Sequence, residues 1–364
     1  MRLLDEQAVE HIALGASLLG TGGGGDPHVG RLMALNAIRK HGPVQLLSAD
    51  ELPDEALVVP TAMMGAPIVI VEKIPNGEEF ITAFKGLQEV LGKKVYATIP
   101  IEAGGVNSMI PIAVAAQLGI PLVDADGMGR AFPELQMVTY HLDSIPASPM
   151  VIVDEKGNSV ILQTITNNWA EELARVCTVS MGASVMISIY SMLGRQVKES
   201  AITGIMTFSQ EIGRLISEAR ARNANPLQEL LELTRGYELF KGKITDVSRD
   251  LKGGFNRGLC RIDGIEEYNG RSMDVSFQNE NLIAHRDGKV VATVPDLICI
   301  LDVDTSVPVT TESLKFGRRV AVIALPCDSK WRTEKGIETV GPRYFGYDLD
   351  YVPVEQLAMK QEAE

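Results

Sequence analysis

The stretch Gly20–Gly30, GTGGGGDPHVG, places six glycines in eleven residues, and nothing else in the chain limits the fold as strongly. Such a run cannot sustain a helix or a strand, yet it lets the backbone enter left-handed conformations and lets other groups approach it closely. Before it, Val9, Ile12, Ala13, Ala16 and Leu19 form a helical stripe that stops at the glycines. After it, Asp26-Pro27 reads as an N-cap and first residue of a second helix running towards Lys40, with His41-Gly42 as its stop. A loop of free amides at a helix N-terminus suits an anion or a substrate, so Thr21, Gly22, Gly23, Gly24 and Asp26 are candidate ligand-binding residues. His28, in the first turn, where the positive helix end disfavours protonation, is a candidate neutral base. The alternative is a structural turn whose amides are occupied by Asp26 itself. The spacing fits neither a Walker loop nor the dinucleotide fingerprint, which requires a preceding strand.

From here the pattern alternates. Ala56–Thr61 suits a buried strand, Gly77–Leu91 a helix with Phe80, Phe84, Leu87 and Leu91 in register, and Lys94–Ile101 a second strand. Asn107-Ser108 can cap a helix through Leu118, which Gly119 stops, and Pro121–Val123 begins another strand. Strand, helix, strand in this order predicts an α/β domain with a mainly parallel sheet over residues 1–166. Ligands of such sheets bind beyond the carboxyl ends of the strands, where Ile101–Ser108 and Asp124–Glu134 fall. If those strands are neighbours, Glu102, Asp124 and Asp126 converge. Two like charges in a shielded crevice push one pKa up, so Asp124 and Asp126 are a candidate acid and base pair. With His28 or His141 they could instead hold a divalent metal, which leaves the cofactor open. Glu102 is a further candidate catalytic residue, and with Asn107 it can position a substrate N–H and C=O; Gly105 and Glu134 are also candidate substrate-binding residues. Arg130 can pair with a substrate carboxylate, or internally with Glu134 or Asp124. For either aspartate alone a turn cap is the competing role, and for Asn107 a helix cap.

Leu135–Leu142, Met150–Val153 and Ser159–Ile165 read as strands, the last two as a hairpin. Residues 167–240 read as a helical connection. Over 241–357 short β-rich runs recur between turns such as Tyr268-Asn269-Gly270 and Arg286-Asp287-Gly288, which predicts a second, mainly β domain of the swivelling type, followed by a frayed tail at 358–364. A net charge of −13 without a basic run excludes a nucleic-acid surface. No apolar run reaches the roughly 20 residues of a membrane span, and Asp5, Glu6 and Glu10 interrupt the N-terminus where a signal peptide needs an apolar core. A cytoplasmic protein is expected. Cys177, Cys260, Cys299 and Cys327 lack CxxC spacing and read as core residues. The stripe Ile205, Phe208, Ile212, Leu215 and Ile216 suggests a homo-oligomer.

The segments GTGGGGDP and PIEAGGVNSMIPIAVAAQLGIPLVDADGMGRAFPELQM resemble the DUF917 family, associated with S-methyl thiohydantoin desulfurase and encoded near hydantoinase and oxoprolinase components. Residues 10–140 carry the resemblance, and the β-rich remainder is similar to the family's second domain. The resemblance implies a hydrolytic enzyme whose substrate is a five-membered cyclic amide or thioamide, the ring losing sulfur to an activated water. Two other readings stay open. One is a nucleotide- or phosphate-binding enzyme that grips through the glycine loop, against which stands the lack of a lysine in or just after it. The other is a non-catalytic partner of a hydantoinase-type enzyme.

Overall fold

A computed structural model of the chain describes residues 2–65, 69, 73 and 77–362. The N-terminal part begins with strand β1 (Arg2–Leu4) and helix α1 (Glu6–Leu19), capped by Asp5, which accepts a hydrogen bond from the Ala8 N–H at 2.8 Å. The glycine loop follows directly, then α2 (Pro27–His41). Asp26 accepts from the His28 and Val29 N–H groups at 2.7 and 3.3 Å, the cap the sequence signals. The alternation continues with β2 (Val44–Leu47), β3 (Leu57–Gly65), α3 (Glu79–Leu91), β4 (Ala97–Ile99), α4 (Ile110–Leu118) and β5 (Leu122–Val123). Helix α4 is apolar and buried on every side from Ile110 to Ala116, and only its end, Gln117 and Leu118, is partly exposed.

The chain then makes β6 (Ala125–Asp126), β7 (Met150–Val153), β8 (Ser159–Leu162), helix α5 (Asn167–Ser180), β9 (Ser184–Ser188), β10 (Met192–Leu193), β11 (Ile202–Thr203) and helix α6 (Ile205–Ala221). The first sheet runs β1-β2-β5-β4-β3-β9-β7-β8, with β10 also on β3. Its centre β2-β5-β4-β3 is parallel, as in Leu46 beside Leu122 and Val59 beside Thr98, and the flanks are antiparallel. Two readings change. Leu135–Leu142 is not a strand but a buried loop ending in a helical turn, Thr139–Leu142; a short apolar run has no periodicity that separates the two. The supposed connection 167–240 contributes β9, inserted between β3 and β7, so it is partly woven into the first sheet.

The second domain is a seven-stranded antiparallel sheet built from β12 (Tyr237–Lys252), β13 (Phe255–Gly264), β14 (Ser272–Gln278), β15 (Glu280–Arg286), β16 (Lys289–Thr293), β17 (Leu297–Asp302) and β18 (Arg319–Leu325). Its order is β16-β15-β14-β13-β12-β18-β17. It curls into a half-barrel, so that Asn281 of β15 donates from Nδ2 to the Ile298 carbonyl of β17 at 2.9 Å. The tail expected to fray after Leu357 is helical over Val354–Glu362. Its start is pinned, since the Val354 N–H donates to Asp296 and Arg332 pairs with both Glu355 and Asp296. Among the described residues no helix is long and apolar enough to cross a membrane.

Candidate active site: a carboxyl-lined cleft at the domain seam

The glycine loop folds against both domains, which explains its composition. A Cβ on Gly24 would lie 2.5 Å from the Gly104 Cα, and one on Gly23 would lie 1.9 Å from Glu280 Oε1. The Val106 N–H donates to the Gly24 carbonyl, the Thr311 N–H to that of Gly22, and the Asn281 N–H to that of Thr21, each at 2.8 Å. Gly105 packs its backbone on Gly25 and Pro27. Thr21, Gly22, Gly23 and Gly105 therefore serve the seam. Gly24 and Gly25 differ, because they line a cleft and, among the described residues, nothing accepts a hydrogen bond from their N–H groups.

That cleft has a cavity volume of about 50 Å³ and opens to solvent. Its apolar wall is made by the end of β3 (Met63, Met64), Met128 and Phe132, and its polar groups are Glu102, Asn107, Glu134, Arg175, Asn279 and Glu280. Asn107 is held by both backbone groups of Met63: its Oδ1 accepts from the N–H at 2.8 Å and its Nδ2 donates to the carbonyl at 3.2 Å. The same Nδ2 donates to Glu102 Oε1 at 2.6 Å, and the Phe132 N–H reaches Glu102 Oε2 at 3.3 Å. Asn107 is thus a positioning residue for Glu102, not a helix cap. Burial pushes the Glu102 carboxyl up to about 7 against the pull of those donors and of Arg130.

Glu280 enters from the second domain on the sharp β14–β15 turn. Asn279, in the left-handed region at φ 58°, makes that turn and is clamped to Asn256 through its N–H at 2.8 Å and its Oδ1 at 2.9 Å. Burial and then the Glu102 charge raise Glu280 well above the usual carboxylate range, Arg130 opposing, and its Oε2 has no partner among the described residues. Two carboxyls that disfavour each other's ionisation thus face one cleft from two domains. At the rim Glu134 accepts from Gln136 Nε2 at 2.5 Å and from the Tyr344 hydroxyl at 2.7 Å. Arg175 donates to Glu171 and to the Pro133 carbonyl and stacks 4.3 Å from the Phe255 ring centroid.

The other expected site residues lie elsewhere. Strands β4 and β5 are neighbours, but β5 ends at Val123 and the chain leaves the sheet to pair β6 with β11, so the two aspartates do not share a face. Asp124 caps α6, accepting from the Met206 and Thr207 N–H groups at 2.9 and 3.0 Å and from the Thr207 hydroxyl. Asp126 is fully buried, and its Oδ1 accepts from the Met128 and Gly129 N–H groups at 3.2 and 2.8 Å. Arg130 is fully buried and donates to the carbonyls of Ala131, Pro295, Asp296 and Asn281 and to the Thr21 hydroxyl, bolting the domains together. His28 is exposed beside Arg31 and outside the cleft, and Asp26 is the α2 cap. The set Asp124, Asp126 and His28 does not assemble, and among the described residues no three His, Cys, Asp or Glu side chains group as a metal site.

Asp126 permits a prediction. Burial raises its carboxyl well above the usual carboxylate range, and an amide Oδ1 makes the same two bonds, so Asp126→Asn should change stability by no more than about 1 kcal/mol and turnover by less than about twofold. A hundredfold loss of rate in folded Asp126→Asn protein would return this residue to the chemistry.

Comparison with known proteins covers both domains. A family model described as S-Me-THD-like, N-terminal domain matches residues 7–164, and one described as S-Me-THD-like, C-terminal domain matches 165–354. Among curated proteins none matches. A crystal structure of a protein from Chromobacterium violaceum superposes with a TM-score of 0.83 at 24% identity, covering 97% of this chain and 100% of that one, and shows the same two-domain fold.

Proposed function

We propose a function from the premise that the chain belongs to the S-Me-THD-like family: it is a hydrolase that cleaves the carbon–sulfur bond of a thiohydantoin-type ring in the seam cleft. The observation that carries the reading is the pair Glu102 and Glu280, two buried carboxyls with raised pKa values lining one cleft. Glu280 is the proton donor and Glu102, close to half ionised at neutral pH, the base. Water gives a proton to Glu102 as it bonds to the ring carbon that carries sulfur. The carbon–sulfur bond then breaks while Glu280 protonates the leaving sulfur. As the carbonyl forms, the proton taken by Glu102 passes to the ring nitrogen and the proton left on the new hydroxyl returns to Glu280, so both carboxyls regain their starting states. The unpaired N–H groups of Gly24 and Gly25 are available to the negative charge that develops on the attacked centre. Met63, Met64 and Met128 supply an apolar, polarisable wall.

A nucleotide-binding role for the glycine loop is not favoured. The loop follows a helix, not a strand, Asp26 already occupies the α2 amides, and ionised Glu102 would repel a phosphate. A partner without catalysis has no use for a shielded carboxyl pair.

The test is the pH profile of thiol release from an S-methyl thiohydantoin. kcat/KM should rise with pH to a plateau above about 7 as Glu102 ionises, and a flat profile from pH 5 to 8 contradicts the assignment. Stability carries the same signature with opposite sign. The folded pKa of Glu102 lies above its unfolded value of 4.5, so the folded protein binds the extra proton between about 4.5 and 7 and loses stability as pH rises through that window. Replacing Glu102 by Gln removes this contribution, so the wild-type melting temperature should fall relative to that of Glu102→Gln as pH rises from 4.5 to 7. A pH-independent difference between the two melting curves would show that the pKa is not raised.

A further inference from the structure

Of the stripe expected to join copies of the chain, Ile205, Ile212 and Ile216 are buried and α6 packs on α1, so it offers no continuous apolar surface. The cleft rim is open, and its charges do not balance. Among the described residues four ionisable side chains line the cleft: Glu102, Glu134, Arg175 and Glu280. Glu280, raised well above the usual carboxylate range, is the neutral acid of the pair, and Glu102 is close to half ionised. Arg175 already has its counter-ion, since it lies 2.6 Å from Glu171 in a nearly buried pair, donates to the Pro133 carbonyl and covers the Phe255 ring. Arg257, 6.0 Å from the same ring centroid, is outside the lining.

Glu134 is held by neutral groups alone. Its Oε2 accepts from Gln136 Nε2 at 2.5 Å and from the Tyr344 hydroxyl at 2.7 Å, and Gln136 Nε2 also donates to that hydroxyl at 2.9 Å. Burial, and then the bond to Glu134, raise the Tyr344 hydroxyl, so it stays a donor. The described residues include every Lys and Arg of the chain, and none of them pairs with Glu134. The buried Gln136 Oε1 also has no partner among the described residues, so this part of the rim has more acceptors than donors.

We infer that Glu134 selects the ring substituent: the cleft takes rings whose substituent ends in a cation, an ammonium or guanidinium, and turns away those ending in a carboxylate. The inference rests on the proposed hydrolysis for the ring and on the rim charges for the substituent. Because two donors already fix Glu134, a cation there meets an ordered carboxylate and loses less entropy than in a flexible surface pair. A carboxylate in the same place faces Glu134 and ionised Glu102, with no free guanidinium to receive it. The apolar wall of Met63, Met64 and Phe132 accepts the carbon part of either substituent, so the charge at its end is what the site reads.

Calorimetry with three hydantoins, the sulfur-free rings that hydrolysis would leave, measures binding without turnover. Their substituents have equal length and end in an ammonium, an uncharged amide or a carboxylate. The ammonium ligand should bind the wild type about 10- to 100-fold more tightly than the carboxylate one, with the amide between them. Glu134→Gln, which keeps an acceptor for Gln136 and Tyr344, should bring the three within about threefold of one another, whereas loss of a merely structural contact would weaken all three alike. Thiol release from the three corresponding S-methyl thiohydantoins is followed in parallel. Equal wild-type affinities, a preference for the carboxylate, a span that Glu134→Gln leaves unchanged, or no binding of any ligand overturns the inference. Binding in the expected order without thiol release overturns hydrolysis and leaves the charge selection standing.

Discussion

Glu102→Gln is expected to lower the turnover number by about 10² to 10⁴, because the amide cannot take a proton from water and a general base contributes roughly that factor. The substitution keeps shape but not every bond. Glu102 accepts from both Asn107 Nδ2 and the Phe132 N–H, and Asn107 cannot turn over to compensate, since Met63 holds its oxygen and its nitrogen. One donor will therefore face the new NH₂ group, at a cost of about 1–2 kcal/mol. Melting curves and single-turnover rates on the same preparation separate the two effects. A folded Glu102→Gln protein within a fewfold of the wild-type rate would show that Glu102 is only part of the wall.

The largest loss of stability is expected at Arg130. Burial lowers its guanidinium to about 10, so it stays cationic at neutral pH, and it satisfies acceptors from the glycine loop, from Pro295 and Asp296 and from Asn281 at once. Arg130→Ala leaves those carbonyls unpaired in a dry seam and opens a cavity, which should cost roughly 3–5 kcal/mol. Arg130→Lys should recover only part, because an ammonium cannot span the fork. Urea denaturation measures both. Arg130→Ala protein with a wild-type midpoint would contradict the role given to the seam.

What was legible in the sequence was what local chemistry decides. The Asp26-Pro27 cap, the glycine turn and the strand-helix alternation stand because caps, left-handed turns and buried apolar runs declare themselves within a few residues. The family was legible for the same reason, since its signature is the two loops that pack on each other. The site was only half legible. Glu102, Asn107 and Glu134 were named because they follow strands of the parallel sheet, and Gly24 because the glycine run marks a loop between two helices. Asp124 and Asp126 were misplaced because alternation holds only while a strand continues, and β5 stops one residue too soon. Glu280 went unnoticed inside Gln278-Asn279-Glu280-Asn281, four polar residues between two apolar strands that read as an ordinary turn. All four are buried, which depends on the second domain closing on the first and has no local signal.

The most direct measurement is thiol release in ¹⁸O-labelled water by the wild type, Glu102→Gln and Glu280→Gln. The wild type should release one thiol per ring and place one ¹⁸O in the new ring carbonyl, and each variant, still folded, should lose at least about 10²-fold of that rate. No thiol from any thiohydantoin, or release at the wild-type rate by both folded variants, would contradict hydrolysis at the Glu102 and Glu280 cleft.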